Sequence, residues 1–300
     1  MAKPGPYVVG MGAPVLSHAP LNSSYPRTHA AAPRVSVVIP ALNEALNLPH
    51  VLGRLPEDIF EVILVDGNSV DDTVAVARAV RPDVRVVRQR RRGKGNALAC
   101  GFAACRGDII VMIDADGSTD PAEIPAFVAA LRSGADFAKG TRFADGGGSA
   151  DITTLRRLGN RALNGLVNML YGTRYTDLCY GYNAFWRHCL DALDLQPGTD
   201  DDGAEMQWGD GFEIETIINT RVARAGLAVA EVASFEQLRI HGESNLNATR
   251  DGLRVLRSIL HERWSRRRSV TPARSRGTVS DLAAHTWLPH TEPTAETAAR

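Results

Sequence analysis

The stretch that decides the fold is DIIVMIDADG, residues Asp108–Gly117. Its first part, through Ile113, is almost entirely apolar and rich in β-branched residues, which predicts a strand buried on both faces. Two similar runs precede it, VSVVI at Val35–Ile39 and EVILV at Glu61–Val65. Polar or turn-forming residues follow the apolar run in each case. The three stretches therefore predict strands whose carboxyl ends carry polar groups.

Helical segments alternate with these strands. The predicted helices are Asn43–Leu55, Thr73–Val80, Asn96–Cys105 and one that opens at Pro121, and Val84–Val87 predicts a further strand. This alternation is typical of an α/β fold with a mainly parallel central sheet and helices on both faces. Ligands of such sheets bind beyond the carboxyl ends of the strands. The polar clusters after Ile39, Val65 and Ile113 therefore lie where a site is expected.

The second half of the chain is less regular. It predicts helices at Thr154–Tyr171, Gly211–Ala225 and Ala248–Trp264 and a strand at Leu227–Ser234. The first of these helices carries apolar residues at helical spacing: Leu155, Leu158, Ala162, Leu166 and Met169. The simpler interpretation is that this face packs into the core, and contact with a membrane surface is the alternative.

Composition sets the class of protein. The 300 residues contain 34 Lys plus Arg and 34 Asp plus Glu, so net charge gives no reason to expect a partner nucleic acid. The four cysteines lack zinc-site spacing and fit reduced, mostly buried thiols. No apolar run approaches the roughly 18 residues of a membrane span. These features predict a cytoplasmic protein, with a peripheral place on the inner face of a membrane as the alternative.

Domain organisation follows from patterning. Residues 1–33 are rich in Pro, Gly, Ser and Ala, and residues 269–300 are rich in Pro, Thr, Arg and Ala. Neither segment shows periodicity, and both predict disordered tails. Residues 34–246 predict one folded domain, and residues 247–268 predict a C-terminal helix.

Asp114 and Asp116 are the strongest candidates for a metal site. Two carboxylates at the end of a buried strand repel each other unless a cation lies between them, and hard oxygen ligands suit Mg²⁺ or Mn²⁺. Such an ion can stabilise a departing diphosphate. The competing interpretation is a solvated turn that caps the helix at Pro121.

Other polar residues are weaker candidates alone. Asp66 can accept hydrogen bonds from a base or ribose, or it forms a turn before Gly67. Lys94, between two glycines, can approach a phosphate, or it belongs to a flexible basic loop. Arg142 and Arg239 are isolated cations that also suit surface ion pairs.

The ordered set of motifs resembles glycosyltransferase family 2. The set comprises PALNE at Pro40–Glu44, VDGNS at Val65–Ser69 with Asp72 and Thr73, GKGNA at Gly93–Ala97 and DADG at Asp114–Gly117. Two later segments, Thr176–Phe185 and Arg239–Asn245, resemble the dolichyl- or polyprenyl-phosphate mannosyl- and glucosyltransferase branch. The resemblance covers Val35–Leu246 and implies that residues 34–246 form a catalytic domain of the GT-A fold.

The resemblance also implies roles for individual residues. Pro40, Leu42, Asn43 and Glu44 would line the base and ribose. Asp66 would contact the base, Lys94 the donor, and Ala115 would lie in the nucleotide site. Asp114 would contact ribose or metal, and Asp116 would be the main metal ligand. Arg142 and Arg239 would hold phosphate oxygens. Two positions depart from the branch, because Ser118 replaces a common Gln and Asn183 replaces a common Arg.

The implied function is an inverting transfer of a hexose from GDP-mannose or UDP-glucose to a polyprenyl phosphate, with Mg²⁺ or Mn²⁺. A soluble sugar or small-molecule hydroxyl is the alternative acceptor, and it requires a carboxylate base such as Asp210, Glu213 or Glu215. A nucleotide-sugar-binding protein without catalysis is disfavoured by the intact Asp114 and Asp116. A nucleotidyltransferase is disfavoured because the loop after the first strand is not Gly-rich.

Overall fold

A computed structural model describes residues 32–199, 205–242 and 248–265, together with a short strand near the N-terminus. In chain order the strands are β1 Val15–Leu16, β2 Val35–Ala41, β3 Glu61–Asp66, β4 Arg85–Arg88, β5 Ile109–Met112, β6 Phe137–Thr141, β7 Gly148–Ser149, β8 Asn183–Trp186, β9 Val229–Ala233 and β10 Phe235–Glu236. The helices are α1 Leu48–Leu52, α2 Thr73–Val80, α3 Lys94–Ala104, α4 Ile124–Arg132, α5 Thr154–Tyr171, α6 Leu190–Leu193, α7 Ile214–Arg224 and α8 Ala248–Trp264.

Eight strands form the central sheet in the order β1-β9-β6-β8-β5-β2-β3-β4. The neighbours of β2 are parallel to it, and β6 is parallel to β9. Strands β7 and β10 form a separate two-stranded parallel pair. The predicted α/β class with a mainly parallel sheet is therefore confirmed.

Two central strands were not predicted. β8 lies antiparallel between β5 and β6, with Phe185 opposite both Ile110 and Phe137. β6 contains the fully buried Lys139 and the adjacent Gly140, so its sequence lacks the apolar run that marks β2, β3 and β5. Packing of Phe185 against Phe137, with ring centroids 5.5 Å apart, fixes this half of the sheet.

The sheet separates two apolar cores. One face packs against α1 and α4, through residues such as Leu48 and Phe127. The other face packs against α3, α5, α7 and α8, through residues such as Leu98 and Ile218. Strands β3 and β5 are buried along their whole length, because helices cover both of their faces.

Most predicted elements agree with the structure. Helices α2, α5 and α8 have the predicted bounds. The helix predicted at Asn43–Leu55 is wrong at its start, because Asn43 has a φ of 57° and the helix begins at Leu48. The helix predicted at Gly211–Ala225 begins at Ile214. The strand predicted at Leu227–Ser234 is Val229–Ala233.

The orientation of α5 contradicts its predicted core face. Leu155, Leu158 and Met169 are 64%, 65% and 75% exposed. The buried side of this helix carries Asn160 and Asn164 instead, together with Val167. The two asparagine side chains point inward because they form hydrogen bonds with residues of the segment that follows α5.

The predicted tails fall mainly outside the described residues. Within the predicted tail 1–33, Val15 and Leu16 pair antiparallel with Glu231 and Ala230 of β9. Residues 269–300 lie wholly outside the described part of the chain, as do 266–268 of the predicted C-terminal helix segment. No helix in the described ranges has the length and apolar character needed to cross a membrane.

Candidate active site

A pocket of about 580 Å³ opens at the carboxyl edge of the sheet. The ends of β2 and β5 form its floor, the starts of α3 and α7 form one side, and α5 and α8 form its outer walls. Of the twelve residues that the sequence singled out as site residues, ten line this pocket: Pro40, Leu42, Glu44, Lys94, Asp114, Ala115, Asp116, Arg142, Glu213 and Arg239. Residues distant in sequence therefore meet where a parallel sheet is expected to bind its ligand.

Lys94 links two carboxylates in this pocket. Its Nζ lies 2.6 Å from Asp114 Oδ1 and 2.7 Å from Glu215 Oε1. Burial alone lowers the pKa of this ammonium, but the two carboxylates outweigh it, and the pKa is raised above its ordinary value. Gly181 lies against the group, since a Cβ there would come 3.2 Å from Glu215 Oε1. Lys94 is therefore a permanently charged cation at the floor of the pocket.

Arg239 forms a second bridge. Its NH1 lies 3.0 Å from Glu44 Oε1, and its NH2 lies 3.1 Å from Asp116 Oδ2. Asn47 supports Glu44 by donating a hydrogen bond from Nδ2 to Oε2, 2.5 Å away. Asp116 Oδ1 accepts the backbone N–H of Ser118. Both carboxylates of the Asp-x-Asp motif are thus paired with a cation of the protein.

The donor set fits one kind of metal ion. Within the described residues, no group of three or more His, Cys, Asp and Glu side chains is arranged to hold a metal. Asp114 and Asp116 supply hard oxygens at one turn and leave coordination positions for substrate oxygens and water. Mg²⁺ and Mn²⁺ accept this arrangement, since Mg²⁺ keeps several waters and binds proteins through one or two carboxylates with substrate phosphates.

Arg142 is committed to buried acids. It forms a two-point ion pair with Asp177 and a third contact with Glu236, NH1 to Oε2 at 3.0 Å. Its guanidinium also lies 5.0 Å from the centre of the Tyr180 ring. The predicted contact of Arg142 with phosphate stays a prediction, but the described contacts are those of a residue that positions the wall of the pocket.

Helix α5 holds the same wall through its asparagines. Asn160 Nδ2 donates to Asp177 Oδ1, and Asn164 Oδ1 accepts the backbone N–H of Leu178. Asn160 Oδ1 is buried and accepts no hydrogen bond from any described residue. Asn160 lines the pocket. These contacts explain why α5 turns Asn160 and Asn164 inward, while Leu155 and Leu158 near its start are exposed.

Asn43 and Asp66 are the two singled-out residues that do not line the described pocket. Asn43 Oδ1 accepts the N–H of Val70, and Asp66 Oδ1 accepts the N–H of Ser69. The Asn43 side chain therefore fastens the loop after β2 to the loop after β3, whereas Asp66 stabilises the turn that follows β3. Their predicted contacts with the nucleotide stay predictions.

The three candidate bases differ in their surroundings. Asp210 is buried in a two-point pair with Arg91, at 2.7 and 3.0 Å, and this pairing leaves it no free role as a base. Glu213 lines the pocket, and its Oε2 lies 3.8 Å from Arg254 Nε. Glu215 is held by Lys94. Glu213 and Glu215 are the carboxylates that a substrate can reach.

The glycines beside Lys94 allow the start of α3 to pack closely against a neighbouring loop. A Cβ at Gly95 would come 1.8 Å from the carbonyl oxygen of Gly209. The Gly95 N–H donates to the carbonyl of Asp210. These glycines let the start of α3 lie directly on the 209–210 loop, so only Lys94 carries the predicted charge into the pocket.

Sequence reasoning gave no role to several pocket residues. Arg254 and Val255 of α8 line it, as do Asn160 and Leu163 of α5. Nothing in their local patterns marks them as functional. In the sequence, Asp177 is only one residue of the Thr176–Phe185 segment, and its central position in the pocket wall depends on the fold.

A mainly parallel sheet with an Asp-x-Asp turn and a pocket at its carboxyl edge places the protein among α/β proteins that bind a ligand at that edge. The model of glycosyl transferase family 2 matches residues 36–193. Undecaprenyl-phosphate mannosyltransferase of Micrococcus luteus is 35% identical over 77% of this chain and 96% of that protein. Glycosyltransferase AglD of Haloferax volcanii is 33% identical over 78% of this chain, which spans 38% of the length of AglD.

A solved structure shows the same architecture. Glucosyl-3-phosphoglycerate synthase of Mycobacterium tuberculosis, in complex with Mn²⁺, UDP-glucose and glycerol 3-phosphate, has a TM-score of 0.59 and 26% identity. The match covers 77% of this chain and 80% of that chain. The chain belongs to glycosyltransferase family 2, which confirms the predicted family, enzyme class and GT-A fold.

Proposed function

We propose that the protein is an inverting hexosyltransferase that moves a sugar from a nucleotide diphosphate to a polyprenyl phosphate. GDP-mannose and UDP-glucose are the candidate donors. The name of the Micrococcus luteus relative supports a polyprenyl-phosphate acceptor, and the Mycobacterium tuberculosis structure supports a metal-dependent nucleotide-sugar donor.

The observation that carries this proposal is the continuity of the pocket. Lys94, Asp114 and Asp116 line it at the carboxyl edge of the sheet, here called its inner end, and Leu163 of α5 and Val255 of α8 line its helical side, here called its outer end. A nucleotide diphosphate requires the charged end, whereas an isoprenoid phosphate requires an apolar wall beside a cation. One cavity offers both environments.

The chain supplies the charges for the donor end. A divalent ion bound at Asp114 and Asp116 would neutralise the diphosphate as it leaves. Lys94 stays protonated and lies beside Asp114, so it stabilises the same negative charge. Pro40 and Leu42, at the end of β2, offer an apolar wall for the base.

The outer end suits an anionic acceptor. Arg156 of α5 and Arg254 of α8 both line it. Each remains partly exposed, with side-chain exposures of 26% and 35%. A phosphate monoester is already anionic at neutral pH, so it attacks without a general base. The two arginines then orient the acceptor oxygen toward the anomeric carbon.

The outside of α5 supports a peripheral place on a membrane. Leu155 and Leu158 are exposed, and Arg157 and Arg161 lie exposed on the same helix. Apolar side chains flanked by cations are typical of helices that lie in an anionic lipid interface. Leu155 also lines the pocket. Docking through α5 would bring the outer end of the pocket to lipid phosphates.

A soluble acceptor is the second candidate. It is favoured by Glu213 and Glu215, which line the pocket and can accept a proton from a hydroxyl. The Mycobacterium tuberculosis relative was crystallised with glycerol 3-phosphate, which is water-soluble. This candidate predicts that Glu213→Gln or Glu215→Gln removes turnover, whereas a lipid-phosphate acceptor tolerates the loss of a base.

The test is a direct assay of product. Purified protein is incubated with Mn²⁺ or Mg²⁺, a panel of nucleotide sugars and a short polyprenyl phosphate, and the glycolipid is measured by mass spectrometry. Asp116→Ala is the inactive control. A glycolipid that is absent from the control supports the proposal and identifies the donor. Nucleotide release to soluble acceptors alone supports the second candidate, and no donor turnover with either acceptor contradicts both.

A further inference from the structure

Two protein cations lie against the carboxylates that would bind a divalent ion. Arg239 NH2 is 3.1 Å from Asp116 Oδ2, and Lys94 Nζ is 2.6 Å from Asp114 Oδ1. The two carboxylates are partly shielded from solvent, since the side chains of Asp116 and Asp114 are 17% and 30% exposed. Free metal must therefore compete with charges that are already in place.

The position of Arg239 is built into the fold. Residues 235–242, here called the strap, cross over the turn at Asp116. The backbone N–H of Gln237 donates to Ser118 O at 2.8 Å, and that of Ile240 donates to Asp116 O at 3.1 Å. These bonds hold the strap backbone directly against the turn that carries the metal carboxylates.

Two further contacts fasten the strap. The His241 N–H donates to Asn47 Oδ1 at 2.9 Å, and Asn47 Nδ2 donates back to the His241 carbonyl at 3.1 Å. Ile240 covers Gly117, where an added Cβ would come 2.5 Å from Ile240 Cδ1. Arg239 is thus carried to its two carboxylates by a segment that is fixed on both sides of it.

Arg239 is held less tightly by its carboxylate partners than Lys94 is by its own. Lys94 lies at the floor and is held by Asp114 and Glu215 at 2.6 and 2.7 Å. The contacts of Arg239 are longer, and its side chain is 28% exposed. A diphosphate gives a guanidinium a better partner than a carboxylate pair, because planar two-point contacts with phosphate oxygens are strong. Arg239 is therefore the cation that a donor can draw away from Asp116.

We propose that Arg239 pairs with the Asp116 carboxylate in place of a metal ion, so that free divalent metal binds there only weakly until a nucleoside diphosphate draws the guanidinium away. This inference rests on the proposed function, since it assigns the same carboxylates to the metal. Metal and nucleotide then bind with positive coupling, and each raises the affinity of the other by the same factor. The device prevents a metal from occupying the site without substrate.

The test measures metal binding rather than turnover. Mn²⁺ is titrated into the full chain, and free Mn²⁺ is read from its electron paramagnetic resonance signal, with and without UDP or GDP. For the wild type we expect weak binding of Mn²⁺ alone and at least tenfold tighter binding with one nucleotide. For Arg239→Gln we expect Mn²⁺ alone to bind about tenfold tighter than to the wild type, because a competing charge is gone.

Matched variants separate this effect from a general change in charge. Arg254→Gln removes one charge from the same pocket but from a residue 3.8 Å from Glu213, so it should bind Mn²⁺ like the wild type. Arg239→Lys keeps the charge and should bind Mn²⁺ as weakly as the wild type does. Asp116→Asn in the Arg239→Gln background should abolish the gain. Far-ultraviolet circular dichroism establishes that each variant is folded.

Three results would overturn the inference: an Arg239→Gln variant that binds Mn²⁺ no tighter than the wild type, the same gain in Arg254→Gln, or a gain that survives Asp116→Asn. Failure of the proposed function is distinguishable. If neither UDP nor GDP binds, the donor assignment fails, while the comparison of Mn²⁺ alone between wild type and Arg239→Gln still decides whether Arg239 competes with metal.

Discussion

Arg142 and Asp177 form a two-point ion pair in the wall of the pocket, with Nε to Oδ2 at 2.7 Å and NH2 to Oδ1 at 2.9 Å. Both side chains are almost completely buried, at 4% and 0% exposed. Burial alone raises the pKa of Asp177, but the guanidinium outweighs burial, and the pKa lies below its ordinary value. The pair joins β6 to the segment before β8, two elements that local sequence patterns do not connect.

Loss of either partner should destabilise the fold. We expect Asp177→Asn to lower the free energy of unfolding by about 3–5 kcal/mol, because it removes the two-point countercharge of a buried guanidinium and leaves it the single contact with Glu236. The measurement is urea unfolding followed by fluorescence. The exposed pair of Arg54 and Asp120 is the control, and Arg54→Ala should cost less than about 1 kcal/mol. Equal costs for the two variants would contradict this account of the wall.

Lys94 should matter for the chemical step. Lys94→Met removes the cation next to Asp114 and leaves Asp114 and Glu215 without it, so we expect kcat to fall about 10²- to 10³-fold. The raised pKa of Lys94 means that its charge persists at least to pH 10.5, and wild-type activity should show no loss from its deprotonation below that pH. The kcat of Lys94→Met checks the first statement, and the pH profiles of kcat for wild type and Lys94→Arg check the second. A fall in activity between pH 8 and 10 that Lys94→Arg removes would assign the titration to Lys94 and contradict the prediction.

Glu61 ties β3 to its neighbours and should make stability depend on pH. Burial alone raises its pKa, but donors from Arg106, Ser36 and Arg85 outweigh burial and lower the pKa from 4.5 to about 2. A carboxylate with a lowered pKa stabilises the fold above its unfolded pKa, and that contribution is lost as the pH falls from 4.5 toward 2. Glu61→Gln should cost about 1–3 kcal/mol at pH 7 and much less at pH 2.5. Urea unfolding at both pH values is the measurement, and a cost that does not change with pH would contradict it.

The first half of the fold was predictable because its information is local. Strands β2, β3 and β5 are continuous apolar runs, and the polar residues after them fall at one edge of the sheet whatever the order of the strands. Asp114 and Asp116 therefore reach the pocket by a rule of parallel sheets. The same rule does not say which cations neutralise them. The pairing of Asp116 with Arg239, 123 positions later, depends on the path of the strap.

The second half was harder because its polar residues are buried. Lys139 lies in the middle of β6 and is fully buried, and Asn183 is fully buried in β8. A pattern of apolar residues cannot find strands that contain such groups. For α5, the leucine stripe marked the face that hydrophobicity favours, yet Asn160 and Asn164 occupy the inner side. Their hydrogen bonds to Asp177 and Leu178 replace the apolar contacts that the spacing predicted.

Arg156 should affect binding of the acceptor and not binding of the nucleotide-sugar donor. Arg156 lines the pocket, whereas the next residue, Arg157, is exposed and does not line it. We expect Arg156→Gln to raise KM for polyprenyl phosphate about tenfold, with little change in KM for the nucleotide sugar. Arg157→Gln is the matched control with the same loss of charge. Steady-state kinetics in detergent, where no bilayer attracts cations, separates the two, and equal effects would indicate general electrostatics.

The exposed leucines of α5 should bind lipid. Leu155 and Leu158 are 64% and 65% exposed, although exposure of an apolar side chain to water is energetically unfavourable. If they enter the interface of a bilayer, each contributes up to about 1.5–3 kcal/mol through burial. We therefore expect the double variant Leu155→Gln, Leu158→Gln to bind vesicles of anionic phospholipid at least tenfold more weakly in a sedimentation assay. Val70→Gln is the control, since Val70 is 92% exposed but lies in the loop after β3. Unchanged vesicle binding by the double variant would place the membrane contact elsewhere, and weaker binding at high salt in wild type would show that the arginines of α5 contribute through charge.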